Sequence, residues 1–81
     1  MRIIALQSTN VASLAYDLDE QVCIVQFQSG DVYRYVGVPG NVILSVLFDP
    51  VSQGKAFDAK IRRGNYPFEK ITDLTEIEVH V

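Results

Sequence analysis

With 81 residues, 48% of them hydrophobic and 21% charged, the chain has the composition of one folded domain and no more. A net charge of −3 and an isoelectric point near 4.8 argue against simple electrostatic capture of nucleic acid by the molecule as a whole. A single cysteine, Cys23, excludes an internal disulfide, and no apolar run approaches the ~18 residues of a membrane span, so a reducing cytoplasm is the expected setting.

Residues 2–6 (RIIAL) form a short apolar run that fits an edge strand and is too short for a secretory signal. Gln7-Ser8-Thr9-Asn10 breaks it with turn-forming side chains. Residues 11–17 (VASLAYD) read as a second strand, turned by Leu18-Asp19-Glu20 into a hairpin. Residues 21–28 and 31–38 are rich in Val, Ile, Phe and Tyr, and Ser29-Gly30-Asp31 supplies a glycine for the turn.

Alternation along the strands puts Cys23, Val25 and Phe27 on one face of the hairpin. A three-residue loop sets Phe27 opposite Tyr33 and Val25 opposite Tyr35, which gathers both tyrosines onto that face and turns Arg34 away with Val32 and Val36. A two-residue loop inverts every side chain. The three-residue loop is favoured because it collects Phe27, Tyr33 and Tyr35 into one cluster. The other face, with Val22, Ile24, Val32 and Val36, then needs a cover of its own.

Pro39 suits the first position of a helix that continues over residues 40–49 until Pro50 ends it. Asn41, Ser45 and Asp49 form a narrow polar stripe on it, so the helix is expected to be buried on more than one side. Ser52 can cap a second helix running to Arg62, with Phe57 and Ile61 inward and an Asp58–Arg62 pair outward. Gly64-Asn65 stops it, and Tyr66-Pro67-Phe68 is an extended aromatic turn. The tail, residues 72–81, ends in IEVHV, whose alternation suggests a last strand that could pair with residues 2–6.

No catalytic set emerges. The one histidine, His80, lies a residue from the end, and there is no Ser/His/Asp set, metal-ligand spacing or phosphate loop. Asp17, Asp19 and Glu20 read as turn punctuation, and residues 37–41 as a plain turn and cap. The expectation is a protein that is no enzyme, needs no cofactor and binds no metal.

Charge, by contrast, is unevenly placed. Residues 52–71 hold Lys55, Lys60, Arg62, Arg63 and Lys70 against Asp58 and Glu69, a net of +3. The rest holds Arg2 and Arg34 against eight acids, a net of −6. A basic segment on an acidic body is a footprint of small nucleic-acid modules. Tyr33 and Tyr35, flanking Arg34, resemble the sheet-borne aromatics on which single-stranded bases stack. The competing account makes both tyrosines core and the basic residues a solvated helix face.

Taken together, S-T-N-V-A-S-L-A-Y-D (residues 8–17), F-x-S-G-x-x-Y-R-Y (27–35), V-P (38–39), S-x-G-x-x-F-D-x-x-I-R (52–62) and Y-P-F (66–68) resemble the KTSC domain over about residues 8–71. That family is known as a C-terminal extension of some lysyl-tRNA synthetases and as free-standing small bacterial and phage proteins. The resemblance implies a small binding domain with RNA as candidate ligand, and it supplies no catalytic residues. Gln53 and Asp58 depart from the family's basic residue and Asn, which lowers the local positive charge.

The expected fold is a single α+β domain over residues 1–81: an antiparallel sheet of three to five strands with two helices packed on one face. The expected function is a non-catalytic module that binds RNA or single-stranded nucleic acid through Tyr33, Arg34, Tyr35, Lys55, Lys60, Arg62 and Arg63. The alternative is a protein-interaction or homodimerisation domain that uses the apolar hairpin face (Val22, Ile24, Val32, Val36).

Overall fold

The computed structural model describes residues 2–71. The strand expected in the tail, its pairing with residues 2–6, and His80 all lie outside the described residues. Five strands, β1 (Arg2–Ala5), β2 (Val11–Asp17), β3 (Val22–Phe27), β4 (Val32–Val36) and β5 (Phe68–Ile71), form one antiparallel sheet in the order β1-β2-β3-β4-β5. Between β4 and β5 the chain makes helix α1 (Gly40–Leu47), helix α2 (Gln53–Phe57) and a π-helical turn (Asp58–Arg62) that continues α2. This is an α+β fold of the expected class.

The hairpin loop has the expected length but sits one residue earlier, at Gln28-Ser29-Gly30. Gly30 donates its N–H to the Phe27 carbonyl (2.9 Å), and Phe27 donates to the carbonyl of Asp31 (2.9 Å). Gly30 takes φ +97° at the third loop position, a conformation that glycine adopts without a Cβ clash. Pairing therefore slides by two residues, to Cys23 with Tyr35 and Val25 with Tyr33. A two-residue shift preserves faces, so the tyrosines do share the face of Cys23, Val25 and Phe27, with Arg34 opposite.

That face carries the main core. Leu14, Cys23, Val25 and Tyr35 pack with Ile43 and Val46 of α1 and with Ala56, Phe57 and Ile61 from α2 and its extension. Phe57 is wholly buried, with the Tyr35 ring edge-on at 5.8 Å and Phe27 at 5.9 Å. Burying a side chain of that size contributes about 1.5–3 kcal/mol. On the other face Ala15, Ile24, Val32 and Ile71 make a second, smaller cluster. Ile24 and Val32 are thus already buried, and the hairpin face once expected to be open retains only Val36 and part of Val22.

Two helix expectations change. Pro39 is the N-cap of α1 rather than its first residue, and the helix ends at Leu47, with Phe48 as C-cap donating to the Leu44 carbonyl. More consequentially, α1 is not buried on more than one side: Leu44 is 55% exposed and Phe48 77%. With a single sheet layer beneath it, only the Ile43/Val46 face has anything to pack against. Residues 52–62, expected as one helix, are α-helical only to Phe57. Ser52 caps as expected, its hydroxyl accepting the Lys55 N–H at 3.1 Å. Among the described residues, no helix is long and apolar enough to cross a membrane.

Candidate nucleic-acid interface

The helices cover the sheet's main face only in part, and an open cleft of about 600 Å³ remains at the hairpin end. Its aromatic wall comes from three adjacent strands. Phe27 on β3 meets Tyr33 on β4 edge-on at 5.6 Å. Tyr33 meets Phe68 on β5 at 6.0 Å, and Phe68 lies at a shallow 31° to Tyr35 at 5.6 Å. These contacts follow from register, because β4–β5 pairing sets Tyr35 beside Phe68 and Tyr33 beside Lys70 on one face.

Exposure divides the rings by role. Tyr35 is 3% exposed and belongs to the core, and burial raises its phenol pKa, with the Arg62 charge opposing. Tyr33 is half-buried, and Phe68 is 61% exposed. Arg62 lines the same cleft, together with Asn10, Gln28 and Asp31. It comes from the π-helical turn, a wide turn of the kind that recurs at functional sites.

The basic residues do not gather in one place. Arg62 and Arg63 both reach the carboxylate of Asp58, at 3.1 and 3.2 Å, so two cations share one acid and leave a positive excess. Lys70 pairs with Asp31 at 3.4 Å. Lys55 and Arg63 line a neighbouring groove of about 500 Å³ with Ser8, Asn10 and Ser52. Lys60 is exposed. Arg34 lies on the opposite face, paired with Glu69, in a cleft of about 700 Å³ with Val22, Ile24 and Val36.

Of the seven candidates, then, Tyr33, Tyr35 and Arg62 come together, Lys55 and Arg63 form an adjoining rim, exposed Lys60 lines neither, and Arg34 stands apart. Sequence reasoning missed Phe68, the most exposed ring of the wall. Its signal was present in Tyr66-Pro67-Phe68, but it was read as a turn rather than as the start of a strand beside Tyr35. Among the described residues, no group of three His, Cys, Asp or Glu side chains could hold a metal ion. The Cys23 thiol is buried and its pKa is pushed up to about 12, which makes it a poor nucleophile.

A family model described as the KTSC domain matches residues 7–66. An uncharacterized protein of Stutzerimonas stutzeri (strain A1501) is 37% identical over 71 residues, which cover 88% of this chain and 99% of that one. The crystal structure of a KTSC domain protein from Yersinia pestis superposes with a TM-score of 0.76 at 30% identity, covering 86% of this chain and 96% of that one.

Proposed function

The chain belongs to the KTSC domain family, and from that premise we propose that it is a non-catalytic module that binds single-stranded RNA in the aromatic cleft of its main sheet face. One observation carries the reading: half-buried Phe27 and Tyr33 and exposed Phe68 stand side by side across three strands, with Arg62 lining the same cleft. Exposed rings on a sheet offer flat apolar faces to unstacked bases, each stack contributing about 1–3 kcal/mol. Arg62 supplies charge for a phosphate, and Lys55 and Arg63 extend it along the adjoining groove. Arg34 takes no part, since it faces away.

The test is fluorescence anisotropy with a labelled single-stranded RNA, titrated over salt beside the matching DNA. Affinity should fall as salt rises, and Arg62→Ala should flatten that dependence by about 0.7 in log–log slope. Phe68→Ala, at an exposed position, should weaken binding by about 5- to 150-fold, the equivalent of one lost stack. No binding at low salt with protein in the tens of micromolar, roughly the non-specific range, overturns the proposal.

A second reading, a protein partner on the opposite face, is favoured by the cleft lined by Val22, Ile24 and Val36 with the Arg34–Glu69 pair. Val36→Asp would leave RNA affinity unchanged and abolish such an interaction.

A further inference from the structure

The aromatic cleft has a polar rim that stacking alone leaves without a role. Asn10, Gln28 and Asp31 line it together with Phe27, Tyr33 and Phe68. Backbone pairing sets the three polar residues close together. Gln28 donates its N–H to the Asn10 carbonyl at 2.8 Å, and Phe27, its neighbour in the chain, donates to the Asp31 carbonyl at 2.9 Å.

Ser8 fixes the polarity of two of these side chains. Gln28 Nε2 donates to the Ser8 carbonyl at 3.3 Å, and a carbonyl only accepts, so the amide's remaining group is the acceptor Oε1. The Ser8 hydroxyl accepts the backbone N–H groups of Asn10 and Val11, so its own proton goes to Asn10 Oδ1 at 2.6 Å. Asn10 is left with its donor, Nδ2. Asp31 gives one carboxylate oxygen to Lys70 at 3.4 Å and keeps the other. Among the described residues, none of these three remaining groups has a partner. The rim therefore offers one donor, from Asn10, and two acceptors, from Gln28 and Asp31.

Unpaired bases stacked on aromatic rings are told apart by the hydrogen bonds of their base-pairing edges. Uracil and cytosine each present two acceptors and one donor there, and adenine presents one of each. Guanine alone presents one acceptor, O6, and two donors, N1–H and the N2 amino group. One donor with two acceptors is the complement of that set and of no other. Resting on the single-stranded RNA reading above, we propose that the cleft selects guanine: Asp31 and Gln28 accept from N1–H and the N2 amino group, and Asn10 donates to O6. Asp31 is the principal determinant, because a bond to a charged acceptor is the stronger kind and because a carboxylate facing a base acceptor is left unpaired.

The experiment is fluorescence anisotropy of the full chain at low salt with labelled pentauridylate and with its variants carrying guanine, cytosine, adenine or inosine at the centre. The guanine pentamer should bind about 5- to 150-fold more tightly than pentauridylate, the range of one well-matched base contact. Inosine, which lacks only the N2 amino group of guanine, should lose most of that advantage. Asp31→Asn, checked for native circular dichroism, should erode the guanine preference while binding pentauridylate no less tightly than the native chain. A merely structural role for the Asp31–Lys70 pair would instead weaken every pentamer alike, and that result overturns the assignment, as does a preference that Asp31→Asn leaves unchanged. Equal binding of all the pentamers, or preference for another base, overturns guanine selection and leaves the RNA reading standing. If none of them binds, the RNA reading falls and guanine selection falls with it.

Discussion

Gly54 shows how a single residue can hold two distant segments together. A Cβ there would stand 2.3 Å from the Ser8 hydroxyl and 2.9 Å from Asn10 Oδ1. Ser8 cannot easily retreat. Its Oγ donates to Asn10 Oδ1 at 2.6 Å and accepts the backbone N–H groups of Asn10 and Val11 at 3.2 and 3.1 Å. The Ser-Thr-Asn turn ahead of β2 and the Ser-x-Gly start of α2 are thus two halves of one junction. Gly54→Ala should destabilise the fold by about 1–3 kcal/mol in urea denaturation, the usual range for overpacking a fitted site. Ser8→Ala should do less harm in that background than alone, because it opens room for the methyl. Additive losses would show that the two residues do not compete for the same space. Both motifs were visible in the sequence, but their contact was not: 46 positions separate Ser8 from Gly54, and no local periodicity encodes such a distance.

At the scale of elements, alternation proved more informative than boundaries. The period-two pattern of β3 and β4 set the face of each tyrosine correctly although the turn lay one residue away from its expected place, because sliding the register by two leaves parity intact. The true turn depends on Gly30 at φ +97°, where a Cβ meets no neighbouring atom. Gly30→Ala should therefore cost about 1 kcal/mol from backbone strain alone, with no change in the packed core. A loss of several kcal/mol, or altered near-ultraviolet dichroism of the tyrosines, would mean that the loop governs more than its own geometry. β5 escaped sequence reading because Phe-Glu-Lys-Ile is short, charged at its centre and preceded by a proline, none of which marks a strand. Missing β5 meant missing Phe68, so the tyrosines and Arg62 of the candidate cleft were legible while its most exposed ring was not. The outward face of α1 was misjudged for a related reason. Hydrophobicity reports what a helix can bury, and only the layers around it decide what it does bury.

For the molecule as a whole, the row running from Tyr16 through Cys23 to Tyr35 across β2, β3 and β4 ties stability to alkaline pH. All three acids are raised above their ordinary values, each chiefly by burial. Tyr16 also donates its hydroxyl to the Val38 carbonyl at 2.5 Å, a bond that needs its proton. The sign of the linkage follows from which state holds protons longer. Above the ordinary thiol pKa of 9.0 the unfolded chain gives up the Cys23 proton, whereas the folded chain keeps it up to about pH 12. Stability should thus be insensitive to this group below pH 9 and fall by about 1.4 kcal/mol per pH unit above it, reaching roughly 4 kcal/mol near pH 12. The tyrosines act in the same direction but begin only above pH 10, so between pH 9 and 10 the slope belongs to Cys23. Urea denaturation at intervals across that window should show the fall in the native sequence and a flat profile for Cys23→Val, which keeps the site apolar and close in volume. Parallel declines in the two proteins would assign the titration to other groups. A sheet with one helical layer carries its buried thiol at the centre of the main core, so alkaline sensitivity here is a property of the whole fold rather than of an isolated side chain.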